Sequence, residues 1–289
     1  MILEAPAKIN LSLLITGRRD DGYHLLDSIV VFAKTHDRIT ISPNEGLALH
    51  ISGPFQKVLS GVENNSILKA ARSIVRKTGV KPDALITLEK NLPIAAGIGG
   101  GSSNAAAAIH GLNHFWKTDL NSGEMKSIGL SIGTDVPVCL CGLSARVSGI
   151  GEKVQILSKI PSFGLLLVNP GFAVSTSQVF KLWSGPFSKE VPSQNINFNN
   201  PQDLVSYLLG LRNDLEAPAK EVCPQIGHVL KVIGATEECL LSRLSGSGAT
   251  CFGIFNNSAA AEAAAVKISS QHPTWWVNST VIRQDRVFV

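Results

Sequence analysis

The sequence lacks the long apolar runs and the leading signals of membrane or secreted proteins. No apolar stretch approaches the roughly 20 residues that cross a bilayer. The first residues, Met1 to Glu4, are not a basic region followed by an apolar core, so no signal peptide is expected. Charged residues make up only 17% of the chain. We therefore expect a soluble cytoplasmic protein with no membrane partner.

Paired cysteines are also missing. The chain has five cysteines, an odd number, and their spacing does not match a zinc site. This argues against a disulfide framework and against a structural metal, and it favours reduced, mostly buried thiols. The cysteines are Cys139, Cys141, Cys223, Cys239 and Cys251. The Cys139-Leu140-Cys141 stretch alternates as in a strand, which predicts one buried and one outward-facing cysteine.

Clusters of like charge are absent as well. The net charge is +4, and the lysines and arginines are scattered along the chain. A diffuse basic excess suits an anionic small molecule about as well as a nucleic acid, so charge alone leaves both partners open.

The length of 289 residues exceeds the usual size of one domain, which predicts two domains that share a cleft. Strands and helices mix without strict βαβ alternation, so the predicted class is α+β. We place the boundary near Lys153–Pro161, which gives domains 1–155 and 156–289. No internal repeat is evident.

Several elements can be predicted from local patterns. Residues 7–15 alternate, which predicts a strand with one buried face and with Lys8 and Asn10 on the opposite face. Other expected strands are Ser28–Phe32, Arg38–Ile41, Ala84–Leu88 and Thr250–Phe255. Helices are expected at Asn65–Thr78, Ser102–Trp116, Asn121–Leu130, Leu204–Leu211, Ala217–Ile233 and Ala259–Ser270.

The strongest local signal is a glycine-rich loop of eleven residues that leads into a helix. Four glycines within five positions leave backbone N–H groups bare, so these groups can converge on an anion at the positive end of the helix. No Lys-Ser/Thr pair follows, which excludes a Walker A loop, and a dinucleotide fingerprint would need a third glycine at Ser102. The loop consists of Pro93, Ile94, Ala95, Ala96, Gly97, Ile98, Gly99, Gly100, Gly101, Ser102 and Ser103.

Two single charges have both a structural and a catalytic interpretation. A lysine on an alternating strand, such as Lys8, is most often on the solvent face. Asp135, in a Gly-Thr-Asp-Val-Pro stretch, is either a turn or cap residue or a general base. His110 and His114 lie one helical turn apart, but the residues between them do not match the metalloprotease pattern, so histidines on an amphipathic face are expected.

Four separated segments carry a resemblance to known proteins: Ala7–Leu11 with Arg19–His24, Leu92–Asn104, Gly133–Pro137 and Leu244–Thr250. Together they resemble one family, the GHMP kinases (galactokinase, homoserine kinase, mevalonate kinase and phosphomevalonate kinase). The resemblance spans nearly the whole chain. It implies a two-domain α+β fold with the active site in the interdomain cleft.

The resemblance also implies a reaction. ATP would give its γ-phosphate to an alcohol, Asp135 would take the proton from the hydroxyl, and Lys8 would lie close to both. The loop amides, with Ser102 or Ser103 and Mg²⁺, would hold the triphosphate, mainly against Gly97–Ser103 because Ala95 and Ala96 replace glycines that some relatives carry. No metal-binding glutamate can be identified, so the magnesium ligands are unknown.

The start motif and the Asp-Gly-Tyr-His turn resemble the branch of the family that acts on a cytidine diphosphate-linked small molecule. In that branch Tyr23 and His24 would stack on the cytosine and read its edge. Other residues carried over are Phe180 and Thr176 near the base and substrate, Asn10 near the substrate, and Lys90 and Asn65 at the adenosine pocket. Core packing is an equal alternative for Phe180. The rival functions are another kinase of the family, of the homoserine or mevalonate type, and a non-catalytic nucleotide- or RNA-binding protein.

Overall fold

The computed structural model describes residues 1–59, 65–157, 159–189, 191 and 198–288. The first sheet contains β1 (Ile2–Asn10), β2 (Leu14–Arg18), β3 (His24–Ser42), β4 (Leu47–Ser52), β5 (Ala84–Glu89), β6 (Ala145–Gly149) and β7 (Lys153–Ile156). The second sheet contains β8 (Gly164–Asn169), β9 (Leu241–Leu244), β10 (Cys251–Phe255) and β11 (Trp276–Val281). Strands and helices are mixed, which confirms the α+β class.

The helices follow the same order along the chain. In the first part they are α1 (Gln56–Leu59), α2 (Ser66–Thr78), α3 (Gly100–Phe115), α4 (Ser122–Ile132) and α5 (Val136–Cys141). In the second part they are α6 (Thr176–Leu182), α7 (Pro201–Leu209), α8 (Glu216–Val222), α9 (Gln225–Gly234) and α10 (Ser258–Gln271). Within the described ranges, none of these helices has the length and hydropathy to cross a bilayer.

The long strand β3 organises the first sheet. It pairs antiparallel with β1, β2, β5 and β6, while β4 adds to β5 in parallel. The two strands predicted at Ser28–Phe32 and Arg38–Ile41 are therefore parts of one strand of 19 residues. The predicted strand over residues 7–15 is instead split, since β1 ends at Asn10 and β2 begins at Leu14.

The expected helix boundaries are mostly reproduced, and the cap residues explain where the helices begin. Asn65 caps α2, with its side chain accepting from the Ile67 amide, and Gly79 ends the helix with φ 72°. The predicted helix Ala217–Ile233 is two helices, because Cys223-Pro224 separates α8 from α9. Gly111 lies on α3, where an added Cβ would be 2.5 Å from the Ile41 side chain.

Alanines allow α3 to lie directly on the first sheet. Ala105, Ala106, Ala107 and Ala108 are fully buried in one core cluster with residues of β3, β5 and α2. A second core cluster lies between the two sheets, and a third surrounds the second sheet with α8, α9 and α10. Small side chains bring the beginning of α3 close to the strands.

The C-terminal end of the chain returns to the first part of the molecule. The first sheet ends at Ile156 and the second begins at Gly164, but Ile282, just after β11, forms a bridge with Ala33 of β3, and Phe288 stacks on His110 of α3. The predicted domain boundary at residues 155 and 156 stays a prediction.

Candidate active site

A cavity of about 1100 Å³ is lined by residues of the first sheet and of the glycine-rich loop and, from the second part of the chain, by residues of α6 and of the turn after β9. It brings together nearly all the residues singled out in the sequence: Lys8, Asn10, Tyr23, His24, Asn65, Lys90, Pro93, Ile94, Ala95, Ala96, Gly97, Gly99, Gly100, Gly101, Ser102, Asp135, Thr176 and Phe180. Two loop residues do not line it. Ile98 is buried in the core between the sheets, and the Ser103 hydroxyl donates to the carbonyl of Pro6.

We call one side of the cavity the loop end, formed by residues 93–103 with Lys8 and Asp135. We call the other side the aromatic end, formed by Tyr23, His24, Phe180 and Trp183. Residues 245–248 lie between the two ends, because Ser245 contacts the loop at Gly97 and Ser247 contacts Thr176 at the start of α6.

The charge pair of Lys8 and Asp135 lies at the loop end. The Lys8 Nζ donates to the Asp135 Oδ2 over 2.8 Å. The lysine side chain is only 4% exposed, whereas the aspartate side chain is 44% exposed and reaches the cavity. The expectation that Lys8 lies on a solvent face is wrong, because the loop covers that face of β1: the Lys8 amide donates to the Ile98 carbonyl.

Asp135 immediately precedes the short helix α5. It holds the N-cap position, but its side chain makes no capping hydrogen bond. The alternative that it is only a cap residue is therefore wrong, and its carboxylate is available on the cavity side of the Lys8 pair. Cys139, one turn further along α5, is on a helix and not on the predicted strand. Burial, with the nearby Asp135 charge, raises the pKa of the Cys139 thiol to about 12.

The glycine loop is fixed by contacts with α2 and with the turn between β9 and β10. Gly97 has φ 74°, and an added Cβ there would lie 2.3 Å from the Ser245 carbonyl oxygen. The Thr250 amide donates to the Ala96 carbonyl over 3.0 Å, and the Ser66 hydroxyl donates to the Gly101 carbonyl over 2.8 Å. Backbone carbonyls of the loop thus fix it to neighbouring segments, in addition to the buried Ile98 side chain and the Ser103 hydroxyl.

The helix that follows the loop begins earlier than predicted. Gly99, with φ 60°, is the N-cap of α3, and the helix starts at Gly100 rather than at Ser102. The first amides of α3 therefore come from Gly100, Gly101 and Ser102, which lie at the cavity wall. Bare amides at the positive end of a helix, here one of 16 residues, are an arrangement that favours an anion.

Lys90 lines the cavity beneath Gly100, but its charge is already paired. Its Nζ donates to the Asp37 Oδ2 over 2.5 Å, and Asp37 is fully buried. Burial lowers the pKa of Lys90, while Asp37 opposes that shift. The second Asp37 oxygen accepts from the Asn91 and Leu92 amides. Asp37 was not identified from the sequence, since a single aspartate within a strand pattern gives no signal.

Two asparagines at the cavity differ in whether the side-chain oxygen has a hydrogen-bond partner. Asn65 uses its side-chain oxygen to cap α2. Asn10 is 5% exposed and its Nδ2 donates to the Ser28 hydroxyl, whereas its Oδ1 is buried with no hydrogen-bond partner among the described residues. Such an orphaned acceptor at a cavity wall is a place for a ligand donor.

Asn213 supports the segment between the two ends and was missed in the sequence. Its Nδ2 donates to the carbonyls of Leu244 and Gly246 over 2.9 and 2.8 Å. Its Oδ1 accepts from the Leu215 amide. Both polar atoms of the Asn213 side chain are therefore hydrogen-bonded, and they fix the turn before Ser247. No sequence pattern around Asn213 indicates this long-range role.

At the aromatic end, His24 stacks on Phe180. The ring centroids are 5.1 Å apart with an interplanar angle of 24°. Phe180 thus has a histidine against one face rather than only the core packing that was the alternative. Burial, with the positive charge of Arg18, lowers the pKa of His24, so its ring is neutral at pH 7 and has one donor and one acceptor nitrogen. Tyr23 is 55% exposed beside it.

Two other observations concern metals. In the described parts of the chain, no group of three or more His, Cys, Asp or Glu side chains is placed to hold a metal ion. His110 lies on α3, where it stacks on Phe288 and approaches the Leu140 carbonyl through Nε2. This is the packing role expected for a histidine on an amphipathic helix.

The chain is similar to known proteins over nearly its whole length. A family model described as GHMP kinases N terminal domain matches residues 65–143, and one described as GHMP kinases C terminal matches residues 195–274. A protein of Paramagnetospirillum magneticum named 4-diphosphocytidyl-2-C-methyl-D-erythritol kinase is 47% identical over 275 residues, which cover 95% of this chain and 96% of the relative. A protein of the same name from Dinoroseobacter shibae is 45% identical over 279 residues, with 96% and 94% covered.

Solved structures show the same fold. A crystal structure of 4-(cytidine 5'-diphospho)-2C-methyl-D-erythritol kinase superposes with a TM-score of 0.80 at 29% identity, covering 99% of this chain and 100% of the other. A homoserine kinase from Cytophaga hutchinsonii superposes with a TM-score of 0.68 at 15% identity, covering 99% and 94%. The second likeness concerns the fold alone.

Proposed function

Because the chain belongs to the GHMP kinase family, we propose that it transfers the γ-phosphate of ATP to a hydroxyl of 4-diphosphocytidyl-2-C-methyl-D-erythritol. The names of its relatives suggest this substrate. The observation that carries the proposal is the position of the Lys8–Asp135 pair, which lies in one cavity with a helix-terminal glycine loop and with an aromatic end suited to a base.

The charge pair suits proton removal and phosphoryl transfer. Asp135 accepts the proton of the attacking hydroxyl through its cavity-facing carboxylate. Lys8 favours the ionised carboxylate and stabilises the negative charge that develops on the attacking oxygen. Lys8 is 4% exposed, so its ammonium group is held in place by the protein, while the 44% exposed carboxylate of Asp135 stays open to the cavity.

The loop end receives the triphosphate. The amides of Gly97–Ser103 and the positive end of α3 stabilise the phosphate charge. Ser102 is the loop hydroxyl that lines the cavity, because Ser103 is bonded to Pro6. Asn65 and Lys90 line the adenosine side, Lys90 with its charge already neutralised by Asp37.

The site is also compatible with Mg²⁺. Hydroxyl and carboxylate oxygens are the hard ligands that this ion takes, and it usually needs few of them because phosphate and water supply the rest. Ser102 offers such an oxygen at the cavity wall. When bound, Mg²⁺ neutralises charge on the phosphate oxygens.

The aromatic end receives the cytidine. Tyr23 and Phe180 offer ring faces for stacking, and the neutral His24 offers a donor and an acceptor to the edge of the base. The hydroxyl of Thr176 and the orphaned Oδ1 of Asn10 face the part of the cavity between base and phosphate, where the sugar alcohol would lie. The cytoplasmic location expected from the sequence stays a prediction.

A substrate comparison tests the proposal. The purified protein is incubated with ATP and, separately, with 4-diphosphocytidyl-2-C-methyl-D-erythritol, mevalonate and homoserine, and ADP release is measured. We expect turnover with the cytidine diphosphate substrate and background rates with the other two. Preferred turnover of mevalonate or homoserine would refute the assignment, and binding of ATP with no turnover of any alcohol would favour a non-catalytic nucleotide-binding protein.

A further inference from the structure

Trp183 contacts the histidine at the aromatic end from a second direction. Its ring lies 5.6 Å from that of His24 at an interplanar angle of 86°. His24 therefore has the face of Phe180 on one side and the indole of Trp183 at its edge. Trp183 also lines the cavity, and it follows α6 directly.

The local structure explains why the two rings meet the same histidine. Phe180 and Trp183 are three residues apart at the end of α6, and side chains at this spacing share a helix face. Trp183 is the C-cap of α6: its amide still donates to the Val179 carbonyl, while its own backbone is extended, with ψ 123°. The start of α6 is fixed by the hydrogen bond between the Thr176 and Ser247 hydroxyls over 2.8 Å.

The segment after Trp183 is attached to the hairpin that carries His24. The Ser188 amide donates to the Ile15 carbonyl of β2 over 2.7 Å, and β2 pairs with β3 from Leu14↔Asp27 to Arg18↔His24. Between these points, Phe187 packs on Trp183 at 5.5 Å, and Gly185 lies so close to the indole that an added Cβ would be 3.2 Å from its Nε1. The indole is thus held on its far side as well.

We propose that Trp183 is a positioning residue for His24, which it holds against Phe180 so that the imidazole can distinguish cytosine from uracil. This inference rests on the proposed function, since it assumes that His24 meets the base. A neutral imidazole has one donor and one acceptor nitrogen, and cytosine and uracil exchange donor and acceptor at the edge it would contact. Discrimination of this kind requires one ring orientation and one tautomer, because an imidazole that rotates or exchanges tautomers can satisfy either base.

The experiment compares Trp183→Ala, Trp183→Phe and a control, Trp275→Ala. Trp275 also stacks on a histidine, His272, at 3.9 Å, but it is not among the residues that line the cavity. For each protein, CMP and UMP are titrated calorimetrically and the kinetic constants are measured with the diphosphocytidyl substrate.

We expect Trp183→Ala to reduce the CMP-to-UMP affinity ratio about tenfold and to raise the substrate KM by a similar factor, with kcat and the KM for ATP unchanged. Trp183→Phe should restore most of the ratio, because a phenyl ring keeps the edge contact. Trp275→Ala should match the wild type.

An unchanged ratio in Trp183→Ala would overturn the inference, and so would a joint loss of kcat and ATP affinity, which would indicate a general role in folding. A wild-type protein that does not prefer CMP to UMP would contradict the cytidine assignment itself. Turnover of the diphosphocytidyl substrate together with a preference for CMP that persists in Trp183→Ala would leave the proposed function intact and remove only the role of Trp183.

Discussion

At the loop end of the cavity, hydrogen bonds to backbone carbonyls hold the loop in place, whereas at the aromatic end a few aromatic side chains hold one another. The carbonyls of residues 96–101 accept from the amides of Lys8 and Thr250 and from the hydroxyls of Ser66 and Ser245. The rings at the aromatic end come from the turn between β2 and β3 and from the short helix α6, and their contacts are ring to ring.

The two arrangements should respond differently to substitution. A backbone-held loop depends on the space around its glycines, because a side chain added at Gly97 meets main chain that cannot move away. Mutually packed rings depend instead on the chemical identity of each ring. Changes at the loop end should therefore alter the catalytic step or stability, and changes at the aromatic end should alter substrate affinity.

The largest effect should come from Asp135→Asn. The amide keeps the shape of the carboxylate but cannot accept the proton of the hydroxyl, so kcat should fall by about 10² to 10⁴. ATP binding, measured by calorimetry, should persist. A kcat near the wild-type value would show that Asp135 is not the general base.

Asp21→Asn provides the matched control for this substitution. Both aspartates line the cavity, and their side chains are 44% and 45% exposed. Asp21 lies at the other side of the cavity, in the turn before Tyr23, where an asparagine oxygen can still accept from the Tyr23 amide. The substitution also removes the exposed ion pair between Asp21 and Arg19. Because exposed ion pairs contribute little to stability, we expect kcat to change by less than about twofold.

Gly97→Ala should have the second largest effect and should act on stability. Alanine would have to adopt φ 74° with its Cβ 2.3 Å from the Ser245 carbonyl. The left-handed conformation and the overpacking together should cost about 2 to 5 kcal/mol. Thermal unfolding followed by circular dichroism checks this.

Gly101→Ala is the control for the stability measurement. Its added Cβ would meet only the Ser66 hydroxyl, at 3.8 Å, and Gly101 is within the first turn of α3. Its Tm should stay close to that of the wild type. Equal losses of Tm in the two variants would show that contacts across the cavity do not fix the loop.

The loop end was largely predictable from the sequence because its signal is local. Consecutive glycines before an alanine-rich helix indicate an anion site directly, and the loop is where the pattern places it. What the pattern does not reveal is long-range: the loop covers β1, so Lys8 is buried rather than solvated, and Asp37 neutralises Lys90 from 53 positions away.

The aromatic end could be predicted only in part, since it is assembled from distant segments. Tyr23, His24 and Phe180 were identified by resemblance to a family. Trp183 was not, because one tryptophan in a stretch rich in Ser, Pro and Gly has no periodic pattern to place it. The strand predicted around Cys139 failed for a related reason: alternation over three residues does not distinguish a strand from the short helix α5.

Tyr23→Ala should act on substrate affinity alone. The ring is 55% exposed, so its loss should barely change stability, but one stacking surface for the base disappears. Stacking of a base on an aromatic ring contributes about 1 to 3 kcal/mol, so the substrate KM should rise roughly tenfold with kcat unchanged.

Phe172→Ala is the control for Tyr23→Ala. Phe172 is 49% exposed and is not among the residues that line the cavity, so its removal should leave the substrate KM unchanged. If Tyr23→Ala instead changes only the KM for ATP, the base lies elsewhere in the cavity.

The smallest effect should come from Ala95→Gly, which tests whether backbone conformation is what holds the loop end. Ala95 is exposed and has φ 49°, a conformation that costs an L-residue about 1 kcal/mol or more. Glycine removes that cost, but its greater conformational entropy stabilises the unfolded chain by about 0.4 to 1 kcal/mol. The net effect should be a stabilisation of less than about 1 kcal/mol.

Ala96→Gly, one position further along, should have the opposite sign. Ala96 is 4% exposed and is not among the residues with positive φ, so glycine there loses a buried methyl group and adds only unfolded-state entropy. A destabilisation of about 1 to 2 kcal/mol is expected. Opposite shifts of the two urea midpoints would show that backbone conformation determines the effect at Ala95 and that packing determines it at Ala96. Equal destabilisation would mean that the left-handed geometry at Ala95 does not exist in solution, and the loop would then be held by side-chain packing, as the aromatic end is.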